Sequence, residues 1–281
     1  MSSLKTVARK IAELLVSSDV IWTPLSRTLV RGSQYLCAIR GEYEAREIVV
    51  NHPPLRASLA NNIVIAGPFQ GMKYGDTRAM CSTLYPKLLG TYEHELAQAF
   101  QSAIAKAPAL VVDVGAADGY YAVGFALKNS NGKVIAYDQD PRARVELAKL
   151  AALNGVSDRI EIRERCEPQD LVSFKDKSGL MIVDCEGFED VLLSAETIFM
   201  LKNWDFIIET HDGITPEVTK RLKERFAPSH QIEVVESVHD FDKVDHTDIP
   251  ALKGLPRRSA DRVLAEGREH ACLRWLVCTK V

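Results

Sequence analysis

The stretch Leu110-Val111-Val112-Asp113-Val114-Gly115-Ala116-Ala117-Asp118-Gly119-Tyr120-Tyr121 constrains the fold more than any other part of the chain. An apolar run ends in an acid, passes through small residues and enters a helix-forming sequence. That is the pattern of a buried strand feeding a tight turn and then a helix. Gly115 and Gly119 remove side chains from the turn, so its backbone can come close to a ligand. Asp113 and Asp118 set two carboxylates there. A phosphate-binding turn avoids such charge, because anions are what a helix N-terminus attracts; a cationic ligand is favoured by it.

From residue 111 onward, strand and helix signals alternate. Strands are expected at 111–114, 133–137, 159–163, 179–183, 204–209, 231–236 and 272–279, and helices at 120–128, 142–153, 191–200 and 216–226. Such alternation argues for an α/β, Rossmann-like doubly wound sheet with right-handed crossovers. Residues 1–108 read as a mostly helical N-terminal extension. It has a helix at 5–16 carried by Val7, Ile11, Leu14 and Leu15, a short strand at 62–69, and a second helix beginning near Thr91. The expected division is therefore 1–108, which could cover the cofactor or substrate, and 109–281. Within the latter, a polar insertion at 237–267 exceeds the usual connection length and suits a substrate lid.

Bulk properties narrow the partners. The net charge of −3 over 281 residues indicates no nucleic acid and no membrane surface. The six cysteines contain no C-x-x-C pair and sit mostly in apolar runs, which reads as buried thiols in a reducing compartment. The N-terminus lacks the continuous apolar core of a signal peptide, and no run reaches membrane-spanning length. A cytoplasmic protein with a small-molecule or sugar substrate is expected; the sequence leaves oligomeric state unknown.

An open parallel sheet binds its ligand beyond the carboxyl ends of its strands, and an acid ~20 residues or slightly more after the first turn binds a ribose diol. Asp138 stands there. A turn or helix-capping carboxylate before Pro141 is the plainer alternative. Ala117 occupies the position where a dinucleotide turn needs its second glycine, which disfavours nicotinamide and flavin cofactors. The sulfonium and ammonium of S-adenosyl-L-methionine are cations of the kind the acidic turn favours.

The segment Asp113-Val114-Gly115-Ala116-Ala117-Asp118-Gly119 resembles the first motif of class I S-adenosylmethionine-dependent methyltransferases, with Ala117 departing from the commonest glycine. Further on, Ile182-Val183-Asp184-Cys185-Glu186-Gly187-Phe188-Glu189-Asp190-Val191-Leu192 resembles the D-x-E-G-x-E signature of FkbM-type methyltransferases. The resemblance covers residues 111–279. It implies seven strands, the last antiparallel. It also implies that Gly115 and Asp118 line the methionine moiety, Asp138 the ribose, and Cys166 with Glu167 the adenine. Asp113, Ala116, Gly119 and Asp184 complete the implied cofactor set.

Methyl transfer to a hydroxyl needs alignment of donor and acceptor, and a base or a metal to handle the proton. Asp184, Glu186 and Glu189 end the fourth strand, and Glu209-Thr210-His211-Asp212 ends the fifth. One reading is a divalent cation held by Asp184, Glu209 and His211; metal-free general-base catalysis by His211 or Asp184 competes with it and is favoured. Glu186 and Glu189 could instead cap the helix that begins there. His239, Asp240, Asp242, Asp245, His246 and Asp248 read as a solvated loop whose geometry nothing fixes. Arg257, Arg258, Arg262 and Arg268 read as an exposed helix or an anion grip, and Tyr92 and Glu93 as a helix start at Thr91 or a cofactor cover. Trp22, Trp204 and Trp275 read as packing residues. The leading expectation is O-methylation of a small molecule or sugar hydroxyl. A catalytically inactive S-adenosylmethionine-binding protein and a nicotinamide-dependent oxidoreductase are the alternatives.

Overall fold

The computed structural model describes residues 15, 17–75, 79, 82–267 and 273–281. The expected helix at 5–16, apart from Leu15, lies outside these residues, as do Cys81, Arg268 and Cys272 and the side chain of Trp22. The described chain falls into two units, Met1–Glu47 and Ile48–Val281. The described residues of the first lie mainly in helix α1 (Asp19–Asn51), which contains Pro24. Cys37, expected to be buried, is exposed on this helix. Among the described residues no helix is long and apolar enough to cross a membrane.

The second unit is built on a seven-stranded sheet. Its strands are β1 (Leu110–Val114), β2 (Lys133–Tyr137), β3 (Ile160–Arg163), β4 (Leu180–Val183), β5 (Asp205–Thr210), β6 (His230–Glu236) and β7 (Arg274–Lys280). Their spatial order is β3-β2-β1-β4-β5-β7-β6. The first five are parallel, and β7 inserts antiparallel between β5 and β6. The order reverses at β1, with β2 on one side and β4 on the other, so a crevice opens beyond the ends of β1 and β4, where such sheets bind ligands.

Alternation along the strands explains the layers. Val111, Val134, Ala136, Ile182 and Ile207 face one core, with Leu88 and Leu89 of α3 (Leu84–Leu89), Phe100 of α4 (Ala97–Ala105), α5 (Tyr120–Lys128) and Leu147 and Leu150 of α6 (Pro141–Leu153). Leu55 of α2 (Pro53–Ser58) joins the same core. Val112, Val114, Met181, Val183 and Ile208 face the other core. It is closed by Leu171 of α7 (Pro168–Leu171), Leu192 of α8 (Glu189–Leu192), Ile198 of α9 (Ala195–Met200) and Leu222 of α10 (Val218–Phe226). Period-two alternation with apolar residues on both faces is what a doubly covered sheet requires.

Several boundaries differ from those expected. The chain divides between residues 47 and 48, and Leu55, Phe69, Tyr74, Leu88 and Phe100, all from the expected extension, share one core with the sheet. The expected strand at 62–69 is a single bridge, Ile63 with Lys73, held by a turn at Gly71. The helix expected from Thr91 begins at Ala97, because Gly90 and Glu93 both adopt left-handed backbone. The helix at 191–200 is two, with Ser194 capping the second through the Thr197 amide. Insertion 237–267 is packed: Ile249, Ala251, Ala260, Val263 and Leu264 are buried, the last three on α11 (Arg257–Leu264). Trp204 and Trp275 are fully buried, as packing residues should be.

Candidate active site

The turn after β1 is folded onto its own chain. Gly115 has φ +87°, and a Cβ there would lie 1.7 Å from the carbonyl oxygen of Asp184. Gly119 has φ +91°, and a Cβ would lie 2.7 Å from Leu147 Cγ. These two glycines were expected to make room for a ligand; their immediate neighbours are β4's end and α6. The amides of Gly115 and Ala116 both donate to the Tyr137 carbonyl at 2.9 Å, and the Asp184 amide donates to the Val114 carbonyl at 2.9 Å. The ends of β1, β2 and β4 are thereby tied together.

The charge expected at this turn is largely cancelled. Asp118 is fully buried; Lys87 Nζ of α3 lies 2.6 Å from its Oδ1, and the Tyr74 hydroxyl donates to Oδ2 at 2.9 Å. With both oxygens engaged and no exposed surface, Asp118 is corrected from a ligand-facing carboxylate to an internal ion pair. Asp113 is buried as well. Burial, followed by the charge of Asp184, pushes its carboxyl up to about 8, so its neutral form prevails near neutrality. Ala116 is buried beside it.

Asp138 retains an open aspect. It is half-buried; Oδ2 accepts from the Ala117 amide at 2.8 Å and Oδ1 from the Asp140 amide at 2.8 Å. The carboxylate thus holds Ala117 in its left-handed conformation (φ 47°) and still has lone pairs to offer. The capping reading of this acid applies to Asp140, which caps α6 through the Arg142 amide. Cys166 is buried, and burial pushes its thiol up to about 12, so it is an inert apolar neighbour. Glu167 caps α7 in a capping box with Asp170.

The ends of β4 and β5 are different. Glu186 (φ 53°) and Gly187 (φ 96°) form a left-handed pair that turns the chain back. Buried Glu189 then accepts from the Cys185 and Gly187 amides at 3.1 Å each, so its carboxylate does cap this turn. The same oxygen, Oε1, meets His211 Nδ1 at 2.9 Å. That bond fixes the ring so that Nε2 faces outward, 3.6 Å from Asp184 Oδ1 and 3.6 Å from Glu186 Oε2. Burial opposes the imidazolium, but the hydrogen bond and charge of Glu189, with Asp184 and Glu186, raise the His211 pKa. Burial lifts the Asp184 carboxyl to about 6, although His211 works against that rise. Glu209 is buried and shares a hydrogen bond with Asp184. Among the described residues, one ligand atom each of Asp184, Glu186 and His211 lies within 4.8 Å of the other two, so Glu186 joins this cluster in the place where Glu209 was expected.

A covering network escaped the sequence reading. Tyr121 donates to Glu93, and the Glu93 amide donates to Glu266 Oε1 at 3.0 Å. Glu266 in turn pairs with Lys243, and both side chains are fully buried. Asp240 receives the amides of Glu266 and Gly267 at 2.9 and 3.0 Å. Asp240 and Lys243 anchor the loop from 239 to 248, while His239, Asp242, Asp245, His246 and Asp248 are exposed, as a solvated loop should be. Arg257 is committed to Asp245 at 2.6 Å and does not stand free as an anion grip. Lys87, a lone cation inside the apolar run Leu84-Tyr85-Pro86-Lys87-Leu88-Leu89, was a signal for the separate pair with Asp118, because a buried cation demands a buried acid.

No family model matches the chain, and no curated protein matches it. Solved structures do resemble it. The O-methyltransferase TomG from Streptomyces achromogenes, in complex with SAM, aligns at 12% identity over 63% of this chain and 76% of its own, with a TM-score of 0.42. Cofactor-bound Rv0187 from MTB aligns at 15% identity over 80% of this chain and 89% of its own, at 0.44. A SAM-dependent O-methyltransferase from Thermotoga maritima aligns at 16% identity over 61% of this chain and 59% of its own, at 0.41.

Proposed function

We propose that the chain is an S-adenosyl-L-methionine-dependent methyltransferase of the FkbM type that methylates oxygen on a small molecule or a sugar hydroxyl. The observation that carries this reading is the gathering of three motifs at one sheet edge. The turn after β1, Asp138 after β2, and Asp184 with His211 after β4 and β5 adjoin the same crevice, and Gly115 packs directly on the Asp184 carbonyl. Half-buried Asp138 suits a ribose diol, and the backbone around Gly115 and Ala117 suits the nucleoside half of the cofactor. Asp118 does not suit the methionine ammonium, because Lys87 already neutralises it. That part of the cofactor falls to the acidic side of the crevice, near Asp184.

The cofactor supplies an electrophilic methyl group. The protein holds it in line with the acceptor oxygen and takes up the acceptor's proton. The Asp184–His211 pair is suited to the second task, with Glu189 holding the ring in place. The near-neutral turn after β1 also favours a second reading, a nicotinamide cofactor, since the acidic charge that argued against a dinucleotide is cancelled there.

Calorimetric titration with S-adenosylmethionine, S-adenosylhomocysteine and NAD separates these readings. Micromolar binding of the first two, weakened about tenfold in Asp138→Ala by loss of the diol hydrogen bonds, is the expected result. Binding of NAD alone would establish the second reading, and binding of none by folded protein would refute both.

A further inference from the structure

Helix α1 carries an apolar stripe that faces solvent. Among the described residues, Leu29, Leu36, Ile39 and Tyr43 are 60, 66, 45 and 54% exposed. Their successive spacings are seven, three and four residues, inside one continuous helix. With Leu29, Leu36 and Tyr43 at the a positions of a heptad, Gly32, Ile39 and Arg46 fall at the d positions. A helix surrounded by water is polar along such a seam, and apolar residues recur there where two helices wrap around each other.

The stripe complements itself when a second copy of α1 runs antiparallel. A two-fold axis between Leu36 and Ile39 sets each of them against the other in the second copy, and every contact occurs twice. The same register brings Tyr43 over Gly32 and Leu29 along the aliphatic stem of Arg46, whose charged end stays in water. Among the described residues, a Cβ at Gly32 would meet nothing within 4 Å, so the glycine leaves a hole for the ring. Charge agrees with this direction. Arg40, at an e position, is held by Glu44 of its own helix at 2.6 Å, and Glu42 comes beside the Tyr35 hydroxyl of the second copy. A parallel pair would set Arg46 against Arg46 and Glu42 beside Glu47, and leave a void between two glycines. At these exposures the antiparallel seam and its flanks bury on the order of 600 Å² per copy. That is close to the ~1,200 Å² total at which specific interfaces begin.

We propose that α1 joins two copies of this chain as an antiparallel helix pair, with Leu36 and Ile39 at its centre and Tyr43 seated on Gly32 at either side. Leu36 and Ile39 supply the apolar core of the seam. The Tyr43–Gly32 fit sets its direction and register, because no other alignment of the two helices gives both rings a hole. The pairing uses no residue of the crevice and is independent of the methyltransferase reading.

Sedimentation velocity of the full chain over a range of concentrations tests this pairing. A monomer–dimer equilibrium with micromolar affinity is expected. Leu36→Asp buries an unpaired charge in the seam and should weaken the dimer at least about 100-fold. Gly32→Leu is the sharper variant. It strengthens the isolated helix, since leucine is the better helix former, yet it fills the hole that Tyr43 needs, so the dimer should weaken about tenfold or more. Val145→Asp, at an exposed apolar position on α6, should leave the equilibrium unchanged. Circular dichroism and thermal unfolding confirm that each variant is folded. A chain that stays monomeric up to ~100 µM overturns the proposal; binding of that monomer to phosphatidylcholine vesicles, lost in Leu36→Asp, would assign the stripe to a lipid surface. A dimer unaffected by Leu36→Asp, or one strengthened by Gly32→Leu as a parallel pair would be, overturns it as well.

Discussion

Two acidic regions meet at the same crevice and have opposite fates. In the turn after β1, Asp118 is sealed against Lys87 and Tyr74, and Asp113 is buried with its carboxyl at about 8. At the ends of β4 and β5, Asp184, Glu186 and Glu189 share a single histidine. The difference lies in what covers each region. A buried carboxylate must be paired or neutralised. Among the described residues, the segment before β1 brings a lysine and a tyrosine to the first region and no ion-pairing cation to the second. An aspartate's position in a motif thus says less about its charge than the element packed over it.

The largest expected effect breaks the neutrality of the turn. Lys87→Met leaves Asp118 as an uncompensated buried charge and should cost about 3–5 kcal/mol in denaturant unfolding. Lys87→Met with Asp118→Asn should recover most of that loss. Additive losses in the double variant would show that the two side chains do not form a pair.

Gly115→Ala comes next. The new methyl group collides with the Asp184 carbonyl at a backbone conformation that alanine rarely adopts, so a loss above about 2 kcal/mol is expected. A neutral result would mean that the turn and β4 are not packed as described.

Asp113 sharpens the comparison through pH. Its folded-state pKa is raised, to about 8, while the unfolded carboxyl titrates near 4. Its contribution to stability is therefore fully present below pH ~4 and lost as pH rises to about 8, at up to about 1.4 kcal/mol per unit. Asp113→Asn, which mimics the protonated acid, should flatten stability between pH 5 and 8 relative to wild type. Identical pH profiles for the two proteins would show Asp113 ionised in the native state. The smallest effect is that of Tyr74→Phe. It removes one hydrogen bond from Asp118 and should cost about 1–2 kcal/mol in the same unfolding measurement.

The sheet was legible in the sequence because both of its faces are covered. Runs such as Val111-Val112 and Met181-Ile182-Val183 are apolar throughout, and β1, β2 and β4 lie within a residue of their expected positions. The position of Asp138, and the meeting of Asp184 with His211, followed from strand order and from the rule that ligands lie beyond the strand ends. What was not legible depends on contacts distant in sequence. Lys87 reaches Asp118 across 31 residues, and Glu93 reaches Glu266 across 173. Lys87 in its apolar run calls for a buried acid without saying which, and Glu93 leaves no local pattern, so the turn read as charged when it is largely neutral. The replacement of Glu209 by Glu186 in the acidic cluster has a local cause. The left-handed backbone at Glu186 and Gly187 folds that side chain back toward His211, and a strand-by-strand reading does not anticipate the reversal.

The most direct test of the account is a crystal structure of the protein with S-adenosylhomocysteine. The account predicts the ribose hydroxyls on Asp138, the sulfur facing the Asp184–His211 pair, and the Lys87–Asp118 bridge intact. A ligand seated elsewhere, or one that binds Asp118 only after displacing Lys87, would contradict the division of the crevice into a neutral turn and an acidic edge.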